Sequence, residues 1–395
     1  MKVTQVYEIL NTITQEILGD SVVVNEDLSN VVDIGKAFQN IENGLDNYVR
    51  KLQDHIGRVV FVDRVYSGRA PSVLMDGWEY GSILEKIRAD LPEAEENESW
   101  ELEDGTSYDP NIFYRPSVSV KFFNNRVTFE IPISITEKQI KSSFSNATQL
   151  NAFYSMIQTA IQNSMTVKLD SLIMRTINAG IGETMYSEFP GGSYSGSSGV
   201  RAVNLLSLYN DTLPTGSTPL TAAGAIYDSE FIRFASYTMK NYIGRMRDMS
   251  SLFNIGGTPK FTPDDRMKVV LLNEFKNAAE VYLYDGLNQF NTEGIKFPVS
   301  ADGVSYWQGS GLDYGFNSTS NVNVVTPSGH SVNVSGVLGV IFDRDALGVA
   351  NMDRRVTTNY NAKAEFWNEW HKYDAGYFLD LDENFVVFFV VFYVA

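Results

Sequence analysis

Residues 145–179, SNATQLNAFYSMIQTAIQNSMTVKLDSLIMRTINA, constrain the fold of this chain more than any other stretch. Leu150, Phe153, Ile157, Ile161, Met165, Leu169, Leu172, Ile173 and Ile177 recur at steps of three and four, the spacing of one helix face. Ser145 or Asn146 can cap the start, Gly180 follows as a stop, and no proline interrupts the run. At ~1.5 Å per residue this is a rod of about 50 Å, against a usual helix of ~11–12 residues. Read by itself, it is a long core helix.

The segment leading into it, SVSVKFFNNRVTFEIPISI at 117–135, predicts a hairpin. With Asn124-Asn125 as a two-residue loop, Phe122 faces Val127, Val120 faces Phe129 and Val118 faces Ile131. Ser119, Lys121, Thr128 and Glu130 then share the opposite face, so the register follows from the residues themselves. A two-stranded hairpin is marginal alone and needs a surface to lie on.

The end of the chain carries the strongest β signal. GVLGVIFD at 336–343 is a strand ending in a turn at Asp343, Arg344 and Asp345, and EFWNEWHKYDAGYFLDLD follows it. Residues 385–395 are eleven uncharged residues in a row, all β-branched or aromatic except Ala395. That is too short for a membrane helix, which needs about 18–20 residues, and fits a central strand buried on both faces. Asp380, Asp382 and Glu383 stand just ahead of it as charged gatekeepers.

Elsewhere the pattern alternates helices, loops and strands. Val3, Val6, Tyr7, Leu10, Ile13, Ile17 and Leu18 make a short amphipathic helix ended by Gly19. A second is expected after Ser29, with Ile34, Phe38, Ile41, Leu45, Val49, Leu52 and Ile56 stepping to Gly57; it either packs on its own chain or meets a partner. RVVFVD at 58–63 reads as a strand, and Lys86 to Leu91 as a half-buried strand or a short helix. The seven carboxylates between Glu93 and Asp104 could bind cations or a basic surface, or form a solvated loop; they match no calcium-loop spacing. Residues 180–224 are rich in Gly, Ser and Thr and read as loops. Asp228 caps a helix over 228–254 with Phe231, Phe234, Ala235, Tyr242, Met246, Met249 and Phe253 inward. MKVVLLN at 267–273 is a buried strand, EFKNAAEVYLYD a helix, and 301–336 a set of small surface strands and turns.

Composition narrows the function. Over 395 residues the net charge is −17, which disfavours a reader of nucleic acid and keeps a concentrated protein soluble. There is no cysteine, so no disulfide, thiolate metal site or thiol nucleophile exists. The three histidines, His55, His330 and His371, form no zinc spacing. GSYSG at 192–196 has Tyr194 where a serine nucleophile would stand, and neither a Walker loop nor a dinucleotide fingerprint occurs. The expectation is no catalytic, cofactor or metal site.

The order of helical N-terminus, extended segment, hairpin, long helix, Gly/Ser-interrupted α/β region and returning strands resembles the major capsid protein family of tailed bacteriophages. That α+β fold is the one of lambdoid coliphage capsids, encapsulins and herpesvirus capsid floors. The stretches that carry the resemblance are the hairpin running into the helix from 145, and GVIFDRDALGVANMDRRVTTNYNAKAEFWNEWHKYDAGYFLDLDENFVVFFVV. The resemblance implies a helical N-terminal arm at 1–57 and peripheral strands with an extended loop at 58–140, the loop itself at 110–140. It also implies a spine helix at 141–180, an axial domain at 181–335, and C-terminal strands at 336–395 returning to a peripheral sheet with 58–63 and 83–91. By the same resemblance, Val118, Val120, Phe122, Asn124, Asn125, Val127, Phe129 and Ile131 would contact a neighbouring subunit. Copies would assemble as hexamers and pentamers into an icosahedral head around double-stranded DNA, without specific recognition of it and without a membrane. Scaffolding and portal proteins would be partners, assembly would occur in the host cytoplasm, and no cofactor is implied. A compartment shell of the encapsulin kind, or a tail or portal component, is the alternative.

Overall fold

The structure is a computed structural model that describes the chain except residues 1–2, 20–23, 41–46, 49–50, 52–68, 76–83, 90, 93, 95, 97–102, 108–110, 116, 145–146, 193, 195–197, 283–300, 309–315 and 392–395. Its axis is one helix, Ala147–Glu188, of 42 residues. All nine apolar residues of the expected stripe are buried, and Ile181 and Met185 extend it. Gly180 does not stop the helix. A Cβ at Gly180 would lie 3.0 Å from the Phe385 ring, and one at Gly182 would lie 2.7 Å from Val324 Cγ1. These glycines let two strands press against the helix surface, and that packing overrides their poor helix propensity. Ser145 and Asn146, the expected caps, lie outside the described residues.

Two sheets lie along this helix. Numbered along the chain, the strands of the first are β1 (Leu74–Met75), β4 (Asn125–Thr136), β11 (Leu347–Asn361) and β12 (Phe366–Leu379), in the order β1-β11-β12-β4. β11 and β12 form the long hairpin of the molecule, turning at Glu365, which takes φ 52. β4 runs antiparallel to β12, with Ile131 opposite His371 and Thr136 opposite Phe366. Alternate residues of β12, among them Trp367, Tyr373 and Ala375, turn into the core that holds the helix. Thr136 then caps the short helix Glu137–Ser143 through a capping box with Gln139.

The second sheet has five strands in the order β5-β13-β10-β6-β7: β5 (Ala202–Asn204), β6 (Met267–Leu272), β7 (Ala301–Val304), β10 (Val337–Asp343) and β13 (Phe385–Phe389). β13 is buried along its whole length between β5 and β10, as its composition predicts. Phe385, Val387 and Phe389 enter the core around the long helix, while Val386, Phe388 and Val390 enter a second core. That second core is built on the helix Ser229–Met246, which Asp228 caps by accepting a hydrogen bond from Phe231 N at 2.7 Å. This helix is shorter than expected, and Met249 beyond its end is exposed.

Three further expectations change. The strands of 337–395 do not share one sheet: β11 and β12 belong to the first, β10 and β13 to the second. Residues 84–89 join neither of these sheets, and 58–63 lies outside the described residues. Residues 180–224 are more than loops, because the long helix runs to Glu188 and β5 and the helix Leu205–Asp211 follow. At the N-terminus, Val3–Leu18 is helical and ends at Gly19 with φ 78, and the second helix starts at Val31 and runs to Gln39. Residues 47, 48 and 51 are also helical, while 41–46, 49–50 and 52–57 of the expected stretch lie outside the described residues. Leu10, Ile13, Ile34 and Phe38 share the core of the long helix, so these helices pack on their own chain. No described helix is long and apolar enough to cross a membrane.

Candidate assembly surface

The expected hairpin at 117–135 does not form. The strand β3 (Val118–Phe123) pairs instead with β2 (Leu84–Ala89), antiparallel, with Leu84 opposite Phe123, Ile87 opposite Val120 and Ala89 opposite Val118. β4 leaves for the long sheet after the single residue Asn124. A tight two-residue turn needs positive φ, and among the described residues only Leu28 and Glu365 adopt it outside glycine. Neither Asn124 nor Asn125 turns the chain back. The eight residues expected to act together therefore separate. Val127 and Phe129 pack against the chain's own core and Ile131 is buried in it; Val118, Val120 and Phe122 lie on the β2–β3 ribbon; Asn124 and Asn125 are exposed where the strands part.

The ribbon is amphipathic in the reverse of the usual sense. Its outer face carries Ile87, Val118, Val120 and Phe122, which are 68%, 55%, 43% and 64% exposed, together with the exposed Ala89 and, opposite Phe122, Glu85. Its inner face carries Lys86, Arg88 and Lys121, all partly buried. Strand alternation puts these two sets on opposite faces. A ribbon serving one subunit's core would turn the apolar set inward. The segment that leads into β3 adds Ile112, Phe113 and Tyr114, which are also exposed.

The inner face meets the turn between β12 and β13. Asp380 accepts hydrogen bonds from Lys86 Nζ and Lys121 Nζ, both at 2.9 Å, and its side chain is almost fully buried. Lys121 Nζ also lies 2.7 Å from Asp382, Arg88 lies 3.3 Å from Asp382, and Lys260 lies 2.8 Å from Glu383. A ring contact ties the ribbon to the body, Phe123 against Phe378 at 5.5 Å, with Lys86 5.4 Å from the Phe378 centroid. A cavity of about 350 Å³ remains between ribbon and body, lined by these charged groups. Burial alone would raise the Asp380 carboxyl, but the hydrogen bond from Lys121 and the charge of Lys86 hold it below the ordinary carboxylate value. Burial likewise opposes the Lys121 ammonium, yet Asp380 and Asp382 outweigh it and raise its pKa. The three carboxylates expected as gatekeepers are thus counter-ions of the ribbon. The signal for this was the alternation Lys86-Ile87-Arg88-Ala89, which matches Ser119-Val120-Lys121-Phe122 residue for residue in polarity.

The remaining candidates for chemistry are placed as follows. His371 is fully buried on β12, 3.3 Å from Glu369, and His330 stacks on Tyr186 at 3.7 Å. His55 lies outside the described residues. Among the described residues no group of three or more His, Asp or Glu is placed to hold a metal ion. Of the acidic run, Glu96, Glu103 and Asp104 are described and exposed.

No curated protein sequence matches the chain. Among solved structures it is similar to the capsid of Staphylococcus phage Andhra, with 10% identity, a TM-score of 0.49, and 84% of this chain and 86% of that one covered. It is also similar to the capsid of the cyanophage P-SCSP1u, with 11% identity, a TM-score of 0.46, and 84% and 92% covered. A structure of Mycobacterium phage Che8 matches at 11% identity and a TM-score of 0.36, over 83% and 97% of the two chains. The family model described as Phi29-like phage major capsid protein matches residues 10–389. That match takes in both sheets, the long helix and the ribbon, and by it the chain belongs to the Phi29-like phage major capsid protein family, a structural component of the virion.

Proposed function

We propose that copies of this chain close into an icosahedral shell by laying the outer face of the β2–β3 ribbon on a neighbouring copy. The observation that carries this reading is the reversed polarity of the ribbon, with Ile87, Val120 and Phe122 outward and Lys86 and Lys121 inward. An exposed apolar face of this kind marks an interaction site, and in a capsid protein the abundant partner is another copy. The contact is heterologous, because a ribbon on one copy meets a different surface on the next; such contacts close into rings when the rotation between copies divides a full turn. Hexamers and pentamers are the rings from which a closed icosahedral head is built. In this reading the ribbon is the extended loop, Ala147–Glu188 the spine, the long sheet peripheral and the five-stranded sheet axial. The N-terminal helices then belong to the spine rather than to a free arm, since they share its core.

Magnitudes explain why assembly needs many copies. Fully burying a Val, Ile or Phe side chain gains roughly 1.5–3 kcal/mol. The four outward residues are already partly covered, so burying the rest gains about 3–7 kcal/mol, at or below the low end of the ~4–15 kcal/mol of freedom lost on association. One ribbon contact is therefore marginal, and repetition around a ring makes it secure.

With its charge of −17, the chain would enclose double-stranded DNA without gripping it through clustered cations. Scaffolding and portal proteins would complete the head, with assembly in the host cytoplasm. The test is the double variant Val120→Asp with Phe122→Asp. It should give folded, soluble subunits that form no shells by electron microscopy. Normal shells from folded variant protein would overturn the assignment.

A further inference from the structure

We infer that the ribbon is a strap latched to its own subunit by charge: Lys86, Arg88 and Lys121 on Asp380, Asp382 and Glu383 form a catch that opens independently of the fold. The inference concerns regulation of the surface proposed above for inter-subunit contact, and rests on that reading only for its consequence in assembly.

Three observations carry it. First, among the described residues neither ribbon strand pairs with a strand of either main sheet, so no described sheet ladder ties the ribbon to the body. A two-stranded ribbon is marginal in water and depends on what it lies against. Second, what it lies against is ionic. The acidic turn gathers ribbon cations at 2.7–3.3 Å, beside the Phe123–Phe378 ring contact. Third, part of the space beneath is a cleft of about 350 Å³ whose walls include Lys86, Arg88, Lys121, Asp380 and Asp382, so much of the ribbon's inner face meets charged groups rather than a packed core. The anchor of the catch is rigid. Asp380 N donates to Ala346 O at 2.7 Å, and Ile255 N and Gly256 N both donate to Leu381 O at 3.0 Å. The turn is thus held from behind by the body while the ribbon meets it from the front.

Salt screens most strongly the pairs that solvent reaches, here Lys121 and Arg88 with Asp382, and less the pairs to the buried Asp380, whereas a buried apolar strand is not held by charge at all. The ribbon should therefore come free at an ionic strength that leaves β13 untouched. In the latched state the apolar face has one fixed direction, which suits capture by a neighbour. In the open state it can turn about Asn124, where the chain passes from β3 to β4.

The experiment is hydrogen exchange on the full-length unassembled chain at about 0.05 M and about 1 M sodium chloride. Residues 84–89 and 118–123 are followed, with 385–389 as the internal reference. The expected result is at least tenfold faster exchange of the ribbon at high salt and no change in the reference. Lys121→Asp should reproduce fast ribbon exchange at low salt, and combining it with Asp382→Lys should restore slow exchange. Ribbon exchange that ignores salt, or that rises only together with the reference, would overturn the latch. Should Lys121→Asp unfold the chain, fast exchange of the reference reveals it and the salt series on the unsubstituted chain decides. Shell formation scored on Val120→Asp with Phe122→Asp separates the two ideas. Shells from that variant alongside a salt-released ribbon would remove the docking reading and leave the latch. A ribbon indifferent to salt in a chain whose variant fails to assemble would do the reverse.

Discussion

Two β segments rich in Val and Phe have opposite fates in this molecule. FVVFF at 385–389 is buried on both faces, and VSVKFF at 118–123 shows its apolar side to solvent. The difference lies in what occupies the alternate positions and what each strand is given to pair with. β13 has apolar residues at every position, a long helix on one side, a second helix on the other, and neighbours on both edges. β3 has Ser119 and Lys121 between its apolar residues, and β2 supplies Lys86 and Arg88 to the same face. An acidic turn claims those cations, and the apolar set is left outward. Hydrophobicity alone does not determine burial; the partner of the opposite face does.

Four changes would break or sharpen that contrast. Val387→Asp in β13 places a carboxylate in the apolar core around the long helix, and should cost more than about 4 kcal/mol, read as loss of soluble protein or collapse of the urea midpoint. Asp380→Asn removes the shared counter-ion of Lys86 and Lys121. Because both lysines are partly exposed, the expected cost is about 1–2 kcal/mol in chemical unfolding, with ribbon protection lost first. Acid should act the same way. A carboxyl with a depressed folded-state pKa stabilises above its unfolded value of ~3.9, and that contribution fades as pH falls through the folded value. Lys121, raised when folded, contributes fully below ~10.4 and loses its effect only as pH climbs through its folded value. The catch is therefore closed between about pH 4 and 10, and limited proteolysis of the ribbon should increase only outside that window. The smallest effect on stability is expected from Phe122→Ala, within about 0.5 kcal/mol in thermal unfolding. In assembly the same variant should raise the protein concentration needed for shells several-fold.

Much of the body was legible in the residues. The helix stripe, the Asp228 cap, β6, β10 and the buried β13 follow from periodicity, capping chemistry and strand composition, all local signals. The ribbon was not. Strand alternation states which residues share a face but not which strand lies alongside: on β2, Val118, Val120 and Phe122 face Ala89, Ile87 and Glu85, a less apolar set than 127–131. The nearer partner looked better because two asparagines stood between. The true partner lies across the 28 residues of 90–117, an acidic stretch without strand pattern. Gly180 misled for a related reason: a glycine read locally is a stop, and read in three dimensions is room for Phe385. The acidic residues before β13 were visible, but their cations sit some 260–290 positions earlier in the chain, as with Lys121–Asp380 and Lys86–Asp380.

The long helix has a mechanical consequence. Ala147–Glu188 spans about 60 Å at ~1.5 Å per residue and is gripped along its length by β4, β11 and β12 and, towards its C-terminal end, by β8 (Val322–Val325) and β13. A helix so clamped does not bend freely; it tilts as a lever. Rotating it by about 5° about one end moves the other by roughly 5 Å, close to one helical pitch. Small differences in how two copies meet at one end are thereby multiplied into displacements as large as a side chain at the other. The curvature of a closed surface built from such levers is set by angles at their ends.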